Sequence, residues 1–114
     1  MGIAVVGDGT IVRNNQVVAT GGSTAIGNGY ADGTIVDGKG SRVLNNDVIN
    51  TAQGTGVARG IHFYYVTGGL AVNNRITVVD RGIEFEGSTG KYRDNLTFGV
   101  TMPFTGGTAV GTND

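Results

Sequence analysis

The chain has 114 residues, 22 of them glycine, with 15% charged residues, a formal net charge of −1 and a pI near 5.7. That length suits one domain, and a 39% hydrophobic fraction with so little charge excludes a disordered chain. No Lys/Arg run is present to neutralise a phosphate backbone, so nucleic acid is not an expected partner, and the lack of cysteine excludes disulfides and thiolate metal sites.

The opening MGIAVVGDGT lacks the basic start and long apolar core of a signal peptide. No window is long and apolar enough to span a membrane as a helix, so no membrane partner is expected. The protein is therefore expected to be either cytoplasmic or trimmed from an exported precursor. Residues 2–20 then set out a unit, GIAVVGDGTIVRNNQVVAT, that recurs without a gap at 33–51 as GTIVDGKGSRVLNNDVINT. A third copy begins at Gly60 (GIHFYYVTGGLAVNNRIT), with one extra residue before Asn73-Asn74. A fourth begins at Gly82 (GIEFEGSTGKYRDNLT), where Asp94-Asn95 replaces the Asn pair. The starts lie 31, 27 and 22 residues apart, so a fixed unit carries variable insertions at 21–32 and 52–58, expected to loop out from one corner. Residues 99–114 depart from the pattern and are expected to form a lid over the last unit or a frayed tail.

Within each unit the apolar residues alternate, which is the period of a strand. Ile3, Thr34, Ile61 and Ile83 fall in one inward column, and Val5, Val36, Phe63 and Phe85 in another. A second strand contributes Val12, Val43, Ala71 and Tyr92, and a third Val17, Val48, Ile76 and Leu96. Glycine interrupts every candidate helix, and β-branched residues dominate what remains. Three short strands per unit, stacked in register, make an all-β parallel β-helix, a solenoid of about four coils. The corner between the second and third strands holds Asn15, Asn46, Asn74 and Asn95, expected to form a ladder in which each amide bonds the next, because Asn tolerates left-handed backbone angles. Ordinary turn asparagines are the plainer alternative.

The pattern G-I-x-[VF] followed by N-N-x-[VI] resembles the right-handed parallel β-helix of the pectate-lyase-like superfamily, most of all its generic carbohydrate-binding and sugar-hydrolase repeat. The resemblance covers residues 2–98 and rests on interior and corner positions. It therefore implies a right-handed fold, while the superfamily's lyases, glycosidases, epimerases and tailspikes leave the activity open.

Chemistry is concentrated on the outward side of the first strand. Stacking sets Asp37 beside Tyr64, Tyr64 beside Glu86 and His62 beside Glu84, with Asp32, Arg59 and Arg81 in the preceding column. His62, Glu84 and Glu86 are the candidate catalytic residues, since glycosidic cleavage or uronate proton abstraction uses carboxylates near a base. Asp37, Tyr64, Tyr65, Arg59 and Arg81 are the candidate ligand-binding residues, a tyrosine ring offering a flat face to a sugar. The plainer reading is a solvated strand face whose charges form surface pairs. No calcium-lyase carboxylate set or paired-aspartate signature is present, and neither a metal nor a cofactor is expected. The preferred expectation is a non-catalytic module, structural or carbohydrate-binding, that works as a homo-oligomer, most simply a dimer. A minimal polysaccharide lyase or hydrolase, and an excised segment of a longer solenoid, are the alternatives.

Overall fold

The computed structural model describes residues 1–18, 20, 30–49 and 56–114. Among them the chain is all-β. Its strands are β1 (Ile3–Val6), β2 (Ile11–Arg13), β3 (Gln16–Val18), β4 (Ala31–Asp37), β5 (Arg42–Leu44) and β6 (Asp47–Ile49), followed by β7 (Ala58–Tyr64), β8 (Gly69–Val72), β9 (Arg75–Glu86), β10 (Gly90–Arg93), β11 (Leu96–Thr105) and β12 (Thr108–Ala109). Every pairing is parallel. A seven-stranded sheet runs β1-β4-β7-β9-β6-β3, with β11 also paired to β9, and a five-stranded sheet runs β12-β10-β8-β5-β2.

The register follows the repeat. Ile3 pairs with Thr34, Thr34 with Ile61, Ile61 with Ile83, and Ile83 with Phe104. On the second sheet Val12, Val43, Ala71, Tyr92 and Ala109 follow one another in the same way. These columns supply the core, in which Val36, Val43, Val48, Ile61, Phe63, Ala71, Ile76 and Ile83 are fully buried. Phe63 and Phe85 stack with centroids 4.4 Å apart, and Tyr92 stacks on Phe104 at 4.8 Å, so aromatic faces continue the interior toward the last tier.

Three details differ from the sequence reading. In the later tiers the third strand of one unit runs on into the first strand of the next, giving the long β9 and β11. Val78 (φ 57°) and Gly99 (φ 64°) supply the bend that lets the chain turn a corner there without a loop. Leu96 does not enter the interior: it pairs with Arg75 and is exposed, while Thr97 stacks on Ile76. Residues 99–114, read as a lid or tail, are drawn into the sheets, with Val100 opposite Val79, Phe104 opposite Ile83 and Val110 N–H donating to Tyr92 O. The expected insertions at 21–32 and 52–58 lie mostly outside the described residues, although Ala31, Asp32 and Ala58 belong to strands.

The asparagine corner divides two tasks between adjacent residues. Asn14, Asn45, Asn73 and Asp94 take the left-handed backbone, with φ of 57°, 56°, 54° and 55°. Their successors hold the hydrogen bonds. The Nδ2 of Asn15, Asn46, Asn74 and Asn95 donates to the Oδ1 of Asn46, Asn74, Asn95 and Asn113 at 3.0, 3.1, 3.0 and 3.1 Å. Asn113 is a fifth rung, outside the four expected. A parallel outer chain links Asn73 to Asn45 and Asn45 to Asn14, but Asp94 has no amide donor to extend it.

Candidate functional site

The site grows from a column of glycines. A Cβ on Gly60 would meet Ile76 Cγ2 at 2.5 Å and Gly82 O at 2.7 Å, so this position faces the interior and admits no side chain. Its neighbour Ile61 is also fully buried in the core. With two successive residues turned inward, Arg59 and His62 emerge on the same outer face. The register then places Asp32, Arg59 and Arg81 side by side, Ile35, His62 and Glu84 in the next outer column, and Tyr64 opposite Glu86.

This face is not the solvated strand surface of the plainer sequence reading. Arg59, His62, Glu84 and Asp32 are each more than nine-tenths buried. Arg59 is the hub: Nε donates to Glu84 Oε2, Nη1 lies 3.5 Å from Asp32 Oδ1, and Nη2 lies 3.3 Å from Glu86 Oε2. The other oxygen of Glu84 receives Arg81 Nη1. His62 Nε2 lies 3.0 Å from Glu86 Oε2. Its Nδ1 is 3.4 Å from Asp32 Oδ1 but out of line, and so has no hydrogen bond among the described residues. Tyr30 covers the hub, its ring centroid 4.2 Å from the Arg59 guanidinium carbon.

Burial alone would lower the Arg59 pKa, but the hydrogen bond to Glu84 and the charges of Glu84, Asp32 and Glu86 outweigh it and hold Arg59 above its ordinary value. A raised pKa stabilises the fold at every pH below the unfolded value, so this contribution is complete at neutral pH and is lost only in strong alkali.

Over this network lies a cleft of about 360 Å³ lined by Tyr30, Asp32, Ile35, Arg59, His62, Tyr64 and Glu86. The structure thus brings together His62, Glu84, Glu86, Tyr64, Arg59 and Arg81 from the sequence candidates. Asp37 pairs with Val6 at the far end of β4 and does not line the cleft. Tyr64 and Tyr65 are both exposed, at 39% and 65%, and meet edge to face with centroids 4.6 Å apart. Tyr65 follows the Tyr64–Glu86 pair and so falls level with Gly87, in a column where the other tiers have Gly7 and Gly38. It nevertheless holds φ 51°, a left-handed backbone that costs a bulky residue energy. The next residue, Val66, fills the interior beneath and accepts Thr89 N–H at 2.8 Å. Tyr30 was missed by the sequence reading, because it lies in a stretch with no counterpart in the repeat.

Ligating atoms of His62, Glu84 and Glu86 lie within 4.8 Å of one another, a spread a cation could bridge. Arg59 already bonds both glutamates and supplies the positive charge there. As chemistry, the arrangement is a clamped ion network beneath an aromatic-edged cleft. Both Glu84 oxygens are engaged by arginines, and Glu84 is buried and does not line the cleft. No protein-family model, curated protein or solved structure significantly matches the chain.

Proposed function

We propose that the chain is a right-handed parallel β-helix of the pectate-lyase-like kind, serving as a non-catalytic carbohydrate-binding module that works as a homo-oligomer. The observation that carries this reading is the cleft of about 360 Å³ in which the rings of Tyr30 and Tyr64 flank ionised side chains already fixed by one another. A sugar ring presents an apolar face and a rim of hydroxyls, and such a cleft offers partners for both. Cross-strand ion pairs hold the polar groups in place before any ligand arrives, which lowers the cost of ordering them on binding. Titration of oligosaccharides against the protein by heteronuclear NMR tests the reading. Shifts should centre on Tyr30, Ile35, His62, Tyr64 and Glu86 and vanish in Tyr64→Ala; shifts elsewhere, or none with any glycan, would refute it.

The alternative of a minimal lyase or hydrolase draws on the convergence of His62, Glu84 and Glu86 within 4.8 Å. Engagement of Glu84 by two arginines favours binding over cleavage. New reducing ends or unsaturated products from a polysaccharide, lost in Glu86→Gln, would reverse that preference. The oligomer is supported by the outermost strands β1, β2 and β3, which among the described residues have a partner on one side only and expose Val6, Ile11 and Val18. Unpaired parallel edges with apolar side chains invite a second copy. Light scattering across a concentration series should give twice the 11.6 kDa chain mass, and a monomer at micromolar concentration would remove this part of the proposal.

A further inference from the structure

The inference concerns which sugars the cleft accepts, and it rests on the carbohydrate-binding reading. Arg59 spends Nε, Nη1 and Nη2 on Glu84, Asp32 and Glu86, and His62 spends Nε2 on Glu86. Arg81 gives Nη1 to Glu84 while its buried Nε has no hydrogen-bond partner among the described residues, but it does not line the cleft, and among the described residues no lysine lines it either. Arg59, the arginine of the cleft wall, is therefore committed inside the protein. The acceptors are not. Asp32 Oδ2 and Glu86 Oε1 have no hydrogen-bond partner among the described residues, and the Glu86 side chain is 43% exposed. Three carboxylates (Asp32, Glu84, Glu86) face two guanidiniums (Arg59, Arg81), so the cluster has one negative charge in excess when His62 is counted neutral. His62 adds an independent sign of a ligand position: its Nδ1 is buried, unbonded among the described residues, and belongs to the cleft wall.

We infer that the cleft takes a saccharide unit bearing a protonated amine, and rejects uronates. An ammonium group would donate charge-assisted hydrogen bonds to the free oxygens of Asp32 and Glu86 and could rest against the Tyr64 face. A uronate carboxylate would meet those same oxygens with like charge and find no uncommitted arginine or lysine in the described cleft wall.

The test is calorimetric titration of the intact protein, near pH 6 and low salt, with three probes: a β-1,4-linked glucosamine tetramer, its N-acetylated counterpart, and a galacturonate tetramer. The amine tetramer should bind at least about tenfold tighter than the acetylated one, roughly the value of one added charge-assisted contact. Added salt should erode that preference, and Glu86→Gln should abolish it without changing the melting temperature by more than a few degrees. Tyr64→Ala should instead weaken the amine and acetylated tetramers alike, since a ring face serves both. Equal binding of the amine and acetylated tetramers, or tighter binding of the uronate, would overturn the inference while leaving the carbohydrate reading intact. Binding of none of the three would refute the carbohydrate reading and this inference together.

Discussion

Replacing Asn74 by alanine separates the two halves of the asparagine corner. Its side chain is fully buried and makes four hydrogen bonds: Nδ2 donates to Val43 O at 2.9 Å and to Asn95 Oδ1 at 3.0 Å, while Oδ1 accepts Asn46 N–H at 2.9 Å and Asn46 Nδ2 at 3.1 Å. Alanine removes all four. Asn46 Nδ2 keeps its bonds to Val12 O and Leu44 O, and Asn95 Oδ1 keeps the Asn74 N–H. The Asn46 N–H is left buried with no acceptor. With a net value of about 1 kcal/mol for each of the other three bonds and a penalty of about 1–3 kcal/mol for the orphaned donor, the expected loss is about 4–6 kcal/mol. That is a large share of the roughly 5–15 kcal/mol that stabilises an ordinary domain. Asn73→Gly provides the contrast. Asn73 is exposed, holds φ 54° and donates one side-chain bond, to Asn45. Glycine takes that backbone without strain, so the change should stay within about 0.5 kcal/mol. Urea unfolding followed by circular dichroism, with equal m values for all variants, reads both numbers. A loss below about 1.5 kcal/mol in Asn74→Ala, or a comparable loss in Asn73→Gly, would show that the inner ladder does not hold the corner together.

Glu84→Gln should cost about 3–5 kcal/mol in the same assay, because it removes the charge that two arginines share in a buried site. A cost below 1 kcal/mol would mean that the network relaxes around a neutral side chain. Tyr65→Gly should raise stability by about 1 kcal/mol by relieving the left-handed backbone, while weakening oligosaccharide binding. A loss of stability would show that its contacts with Tyr64 and Gly87 outweigh the strain. Gly82→Ala should lower the melting temperature, since its Cβ would run into the Pro103 carbonyl, and overpacking of this kind costs about 1–3 kcal/mol. An unchanged melting curve would show that β11 can move aside.

The interior columns were legible because they need only a period of two and a recurring corner, both written directly in the residues. Leu96 shows where that legibility stops. Placing Leu96 in the Ile76 column skips a residue after the Asp94-Asn95 corner, but the register skips none: Leu96 falls opposite Arg75, and because a one-residue slip sends a strand's side chains to the opposite face, Thr97 and not Leu96 lies on Ile76. The last tier was hidden because Met102-Pro103-Phe104 does not spell the G-I-x-F opening, although Phe104 takes the inward place opposite Ile83. The candidate site was legible as a set of neighbours and illegible as an environment. Stacking alone places His62 beside Glu84, but their burial depends on Arg59 arriving three residues earlier on the same face, with Tyr30 over it.

That arrival follows from glycine. At Gly60 and Gly82 a side chain would strike the facing strand or the next tier's carbonyl, so the chain keeps these positions bare and turned inward. The same bare column lets parallel tiers approach closely and breaks the in–out alternation at the one place where arginine must swing outward. Core spacing and site geometry are therefore one feature of the backbone. A substitution at Gly60 would push on Ile76 within the core and on the Gly82 carbonyl, and through the neighbouring Arg59 it would disturb the links to Glu84, Glu86 and Asp32. Stability and ligand binding should fall together there, whereas at Tyr65, outside that column's contacts, they should move in opposite directions.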